Sequence, residues 1–568
     1  MPFYPEKIAG LFSNQSEYDI IENQKKKLST KSSWQRIRMR MPGKDKSVNI
    51  AFNLVSFPPE NFDLFPVHAQ HKVLKDDRIK EAIANAYWQT VWASGQIRVA
   101  KGDVEPVAFL PRNRALQNKI QSQTCQVSAN KNDKYIFGSE NIFIDATQKA
   151  IANNRVKYST TGFRVRGDEE LSTWLNLNAF ADMYIGKNRS ATDTRTIKKI
   201  VQVAGSHLIS KTVSDLNKRM TQDQISATAF GNAGFFLNFP EEYSHPFSAM
   251  NDPIGLIIRD GQMLQLPLLN RGTILIDENN QAKITHVSMQ NIALKLPWNN
   301  QVLQFESDHG FHVNDPRGSG KNIIVFTPRY QADKAPDRQR TPQGNVVDLS
   351  IIFGECVSMR VGGNSRIPDS GFVLSIPDRE NAPLILEHFE NHGSRFSFQF
   401  LNKNLGMGKI KSALAAGPIL LQQNKSIADT FFDDKNHCEE FLATRMNGVI
   451  NSKGVAPTRF PFDISITRAP RSFLAIESDN NLVFGIIDGR FEEHSIGARL
   501  RDVAEFCRIS GYNSALNLDG GGSSVLQLTN FRKSGIGLKR DLDKGIVNLP
   551  SDIGHKDRLM PLSIIITK

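Results

Sequence analysis

The chain has 568 residues, 40% hydrophobic and 23% charged. That composition excludes a largely disordered protein, and the length calls for two to four domains rather than one core. The 70 Lys and Arg against 58 Asp and Glu leave a net charge of +12. This excess contains no basic block interleaved with aromatics, which argues against nucleic-acid binding and favours the approach of an anionic substrate.

The opening MPFYPEKIAGLFSNQSEYD lacks the basic start and apolar run of a Sec signal peptide. No stretch reaches 18 consecutive apolar residues, so no membrane-spanning helix is expected. A cytoplasmic setting is the default expectation, with export by a non-Sec route the remaining option. The cysteines Cys125, Cys356, Cys438 and Cys507 form no CxxC pair, so reduced, mostly buried thiols are expected.

In chain order, Trp34 to Met41 alternates Arg36, Arg38 and Arg40 with Ile37 and Met39. It reads as a half-exposed strand with a solvated basic face. Residues 77–92 carry Ile79, Ile83, Tyr87 and Val91 at helical spacing. Residues 1–204 are expected to form a separate, α/β-containing N-terminal domain of unknown role. From Gly205 the texture changes to a helix with Leu208, Ile209, Val213 and Leu216 on one side, followed by the buried strand and turn SATAFGNAGFF. Short strands then follow: GLIIRDGQ, GTILIDENN, KNIIVFTP, VDLSIIF and GFVLSI. The expected class over 205–568 is α+β, with β-rich mixed sheets, packed helices and a C-terminal βαβ unit.

That unit consists of the strand NLVFGIID, the helix GARLRDVAEFCRISG and the strand SALNLD. The helix turns Leu500, Val503, Ala504 and Cys507 inward, and Gly511 suits its end. A crossover of this kind makes the two strands parallel. Asp488 and Asp519, which close them, then share the carboxyl edge of the sheet, where ligands bind. Arg490 lies two residues beyond Asp488, and Arg471 just ahead of the first strand. Guanidinium forks suit a phosphate diester, and the run Gly520, Gly521, Gly522, Ser523 offers amides to an anion. The two acids also offer oxygen ligands to a divalent cation such as calcium or magnesium.

AFGNAGFF, AAGPILL, APRSFLAI, FGIIDGR and ALNLDGGGSS, in this order, resemble the landmark motifs of the phosphodiester glycosidase family. The likeness runs from about residue 205 to the C-terminus. It implies a hydrolase that cleaves a sugar from the phosphate on its anomeric carbon, with a small or polymeric sugar phosphodiester as substrate. It implicates Asn232, Gly234, Gly417 and Gly489 in substrate binding, beside the glycine run and Ser523, and Asp488, Asp519, Arg471 and Arg490 in catalysis, with Pro418 part of the AAGP motif. Ser472 stands where the family typically shows threonine, and Glu477 where a glycine is usual.

Three rival readings fit parts of the sequence. A non-catalytic module binding a glycan or phosphodiester polymer would be favoured by loss of the acids, which are present. A zinc hydrolase has only His388 and His392 in its favour, without the Glu directly after the first His; His309 and His312 read as a polar loop. Cleavage on the phosphorus side differs only in which atom water attacks.

Overall fold

The computed structural model describes residues 4–66, 226–236, 253–426 and 467–568 apart from short internal stretches, with further strands at 107–109, 126–128 and 134–136. The helices expected over 77–92 and 207–220, along with Cys125, Cys438 and His309, lie outside the described residues.

The architecture is mostly β-sheet. The strands β1 (Asp19–Lys27), β2 (Ser33–Met41), β3 (Val48–Phe57), β4 (Phe62–Pro66) and β5 (Ala227–Asn232) come first, then β6 (Ile419–Gln422) and β7 (Lys425–Ser426). The C-terminal part adds β8 (Arg471–Ile476), β9 (Leu482–Ile487), β10 (Ser514–Asn517), β11 (Leu526–Leu528) and β12 (Leu562–Thr567). One sheet of eight strands runs β1-β2-β3-β9-β8-β10-β6-β7, and a second runs β11-β5-β12-β4. Strands between residues 257 and 415 build further sheets around a separate apolar core that includes Leu275, Leu294, Leu349 and Leu374. All five strand segments expected there are strands, and Asp260 and Gly261, both with positive φ, close the hairpin in GLIIRDGQ.

The sheet order revises the expected domain division. β3 pairs along β9, from Leu482 opposite Phe57 to Ile487 opposite Phe52, and β4 pairs with β12. Residues 19–66 are therefore built into the same two sheets as the C-terminal motifs, and a boundary at 204 does not separate them. The physical reason is β9 itself: all six of its residues are buried, so it needs a partner on each side.

The basic face of β2 is also more covered than expected. Ile37 and Met39 are fully buried against α1 (Pro5–Phe12) and the C-terminal helix, as their alternation implies. Arg36, however, is buried too, donating to Glu22 and to the Val547 carbonyl, while Arg40 is exposed.

The crossover helix, Leu500–Ile509, buries Leu500, Val503, Ala504 and Cys507 as predicted, and Phe506 stacks on Phe52 with centroids 4.7 Å apart. The Arg499 amide donates to the Asp502 carboxylate at its start, and Gly511, with φ of +77°, follows its end. β9 and β10 run in the same direction because each pairs antiparallel with β8. They are parallel but not adjacent: β8 lies between them. Among the described residues no helix is long and apolar enough to cross a membrane.

Gly485 on β9 sits opposite Phe473 on β8, and any side chain there would strike the Phe473 ring. Gly485→Ala should lower stability by about 1–3 kcal/mol in urea unfolding, through overpacking. An unchanged unfolding midpoint would mean that the ring has room to swing aside.

Candidate active site

The pairing register brings the predicted residues to one edge. Arg471 begins β8 opposite Ile487, so Asp488 follows directly beside it, and Asp519 lies two residues past Asn517, which pairs with Phe473. Both aspartate-glycine turns close on Pro470. A Cβ on Gly489 would stand 2.7 Å from the Pro470 nitrogen, and one on Gly520 2.9 Å from the Pro470 carbonyl oxygen. That carbonyl also accepts the Gly521 amide at 2.9 Å. The two turns therefore both pack on a single residue, and only glycine lets both backbones come so close.

The two acids differ sharply. Asp488 is fully buried and engaged on every side: Oδ1 accepts the Leu549 amide at 3.1 Å, and Oδ2 lies 2.8 Å from His494 Nε2. Its amide donates to the Ala51 carbonyl, and its own carbonyl accepts the Ser495 hydroxyl. Asp519 is half-buried, and Oδ1 accepts the Gly520 amide at 2.9 Å. Burial pushes its carboxyl up from the ordinary 3.8 to about 6, against the opposing pull of the Ser523 hydroxyl, Arg558, the Gly520 amide and Arg271.

The arginines differ likewise. Arg471 is buried, donating from Nε to Ala498 and from Nη2 to Thr467. Burial, then the nearby Arg490 charge, pushes it down to about 10, so it is still a cation at neutral pH. Arg490 is exposed and takes a left-handed conformation, φ +68°. Its Nη1 donates to Ser551 Oγ, and its Nη2 would lie 3.1 Å from a Cβ on Gly521. A non-glycine residue in this region is strained, and such strain concentrates at functional sites.

Most amides of the glycine run, expected to face an anion, already have partners. The Gly520 amide is taken by Asp519, that of Gly521 by Pro470, that of Ser523 by Gly520 and that of Ser524 by Gly521. The run folds into a short 3-10 turn, Gly521–Ser523, which satisfies the Ser523 and Ser524 amides locally. Its lack of side chains instead admits Arg490 over Gly521 and the Asp552–Arg558 ion pair over Gly522.

Asn232 is wholly buried and acts as a clip. Its amide donates to the Asp519 carbonyl at 2.7 Å, while its Oδ1 accepts the Ser472 hydroxyl and the Val525 amide. The hydroxyl kept at Ser472 thus has a definite use. Gly234 backs onto the Ala415 carbonyl, and Gly417, followed by a cis Pro418, exchanges two hydrogen bonds with Asn517. Ser523, also buried, bonds the Asp519 carboxyl and accepts from Arg558. These groups brace the edge from behind. Its open rim is formed by Asp519, Gly520, Gly521 and Arg490.

Several residues went unnoticed in the sequence because no motif marks them: His494, Ser551, Asp552, Arg558 and Arg271, whose guanidinium lies 4.5 Å from the Phe235 ring centroid. The acids do not make a cation cage. Both Asp488 oxygens are occupied, and among the described residues no group of three or more His, Cys, Asp or Glu stands ready to hold a metal ion. His388 and His392 do lie on one helix, Ala382–His392.

Residues 369–567 match the family model of the phosphodiester glycosidases. The match spans this C-terminal stretch and less than half of the chain. The match contains AAGPILL, APRSFLAI, FGIIDGR and ALNLDGGGSS but begins later than the expected 205, leaving AFGNAGFF outside it. Among solved structures, the chain is similar to a hypothetical protein from Synechocystis at 13% identity and a TM-score of 0.39, covering 97% of this chain and 64% of that one. A protein from Burkholderia pseudomallei aligns at 14% identity and a TM-score of 0.41, covering 97% of this chain and 96% of that one. The third is the catalytic domain of zebrafish N-acetylglucosamine-1-phosphodiester alpha-N-acetylglucosaminidase, auto-inhibited by its pro-peptide. It aligns at 8% identity and a TM-score of 0.34, covering 100% of this chain and 94% of that one. No curated protein sequence matches the chain.

The raised Asp519 pKa makes stability depend on pH. The folded state holds this proton more tightly than the unfolded chain, so the contribution is full below about 4 and is lost as pH rises through about 6. Asp519→Asn, which cannot ionise, should therefore melt higher than the natural chain at pH 7, by about 1–3 kcal/mol of stability, and equally at pH 4. Melting curves at the two pH values check this, and a variant that is less stable at pH 7 contradicts the assignment.

Proposed function

We propose that the chain hydrolyses a sugar-1-phosphodiester at the anomeric carbon, with Arg490 and Asp519 facing the substrate. The observation that carries this reading is a paired charge arrangement at one sheet edge. An exposed guanidinium and a buried one lie close enough for the first to depress the second, beside a carboxyl group that opens on the rim. Two neighbouring cations repel each other, and an anion between or before them relieves that repulsion.

In this reading Arg490 grips the phosphate oxygens, and Arg471 contributes a fixed positive field from below rather than direct contact. The C1–O bond breaks with its electron pair going to the phosphate. A phosphate monoester leaves as a stabilised anion, so the demand on the protein is charge stabilisation more than leaving-group protonation. Asp519, largely ionised at neutral pH given a pKa of about 6, supports the positive charge that develops at C1. The family match over the matched stretch supports the same reaction class. The sugar is left open, and the substrates to try include the N-acetylglucosamine diester.

Turnover in oxygen-18 water tests the reading. The label should appear in the released sugar and not in the phosphate. Asp519→Asn and Arg490→Ala should each lower kcat/KM by about 10²–10³-fold, the scale of losing one electrostatic contact to the transition state. Label in the phosphate, or near-normal turnover by folded variants, would refute it.

A further inference from the structure

Asp488 cannot reach a substrate, because its carboxylate is wholly buried and each oxygen already accepts a hydrogen bond. What it does reach is His494, whose side chain is 17% exposed. The turn carrying this histidine is firmly held. The Phe491 amide and Ser495 carbonyl bond each other across it, and the His494 amide donates to Phe491. Asn49 Nδ2 donates to the Glu492 carbonyl, and Arg38 Nη2 to that of Glu493 at 2.8 Å. The Ile496 amide then returns to Asn49 on β3. Five hydrogen bonds over six residues hold the backbone of the turn, and the bond to Asp488 orients the ring.

The residues around this pair belong to the rim. Leu549, whose amide holds Asp488, lies two positions before Ser551, the partner of Arg490. Asp552 follows, pairing with Arg558, which bonds Ser523 behind Asp519. One segment thus ties the Asp488–His494 pair to both groups that face the substrate.

We infer that His494, oriented by the buried Asp488, is the base that activates the attacking water, and that Asp488 is a positioning residue. This rests on the reading of the chain as a sugar-1-phosphodiester hydrolase. A carboxylate only accepts, so the nitrogen facing it, Nε2, carries the ring proton and Nδ1 carries the lone pair of the neutral ring. In the step, Nδ1 takes a proton from water and the water oxygen bonds to C1. The C1–O bond breaks, its electron pair leaving with the phosphate. The proton on His494 later passes to solvent, which restores the ring. Every atom comes from water and the diester.

The test uses the full chain and the diester that the natural protein turns over. His494→Ala should lower kcat by about 10²–10⁴-fold with KM little changed, the scale of losing a general base. Asp488→Asn should lower kcat similarly, and the double variant no further than the worse single one, because both act through one imidazole. Added imidazole should restore part of the activity to His494→Ala and none to Asp488→Asn, while His494→Gln and melting curves confirm folding. Nitrogen NMR of the ring should show the Nε2–H form in the natural chain and its loss in Asp488→Asn. Normal kcat in folded His494→Ala, or losses that multiply in the double variant, would overturn this role while leaving the hydrolase reading standing. A natural chain inert on every sugar-1-phosphodiester tried overturns the hydrolase reading, and this role with it.

Discussion

The site depends on where one strand sits. β8 lies between β9 and β10 and runs against both, so the ends of those two strands emerge at its start. Pro470, the residue before β8, then becomes the point on which both aspartate-glycine turns close. A side chain on Gly489 or Gly520 would push its turn off Pro470 and separate the groups that the sheet order brings together. The sheet provides direction, and the glycine contacts convert it into close proximity.

Given that arrangement, burial divides the labour. The two aspartates occupy equivalent places at strand ends, but one is sealed beneath a histidine and a loop amide while the other opens on the rim. The arginines repeat the division, with Arg471 below and Arg490 above. In the proposed reaction an inner acid and cation would set orientation and field, and an outer acid and cation would meet the substrate. Preorganisation of this kind keeps the polar groups from having to rearrange when charge develops.

The local pattern was readable where periodicity was strong. The inward face of the crossover helix, the codirectional strands and the gathering of Asp488, Asp519, Arg471 and Arg490 at one edge all follow from spacing in the chain. The insertion of β8 between the parallel strands did not, because spacing does not encode which strand is a neighbour. The N-terminal strands were misjudged for the same reason: β3 and β9 lie more than 400 residues apart in sequence and meet only through long-range pairing. The glycine run was expected to present amides to an anion, yet neighbouring groups take those of Gly520, Gly521 and Ser523. Residues such as Arg558 and His494 matter through a partner distant in sequence or buried from view, and neither carries a motif.

The role of β2 and β3 follows from these contacts. Sequence spacing made their arginine face a solvated surface, but Arg36 reaches the Val547 carbonyl and Arg38 the Glu493 carbonyl. Asn49 and Ala51 hold the turn and the strand end around Asp488. The two loops beside the rim, 491–496 and 546–552, therefore rest on strands from the first 57 residues. Without them β9 would present six buried residues and an open row of backbone donors and acceptors to solvent, an arrangement that invites aggregation. The N-terminal strands are thus part of the same fold as the candidate site, supplying the edge protection of β9 and holding the turn that carries His494.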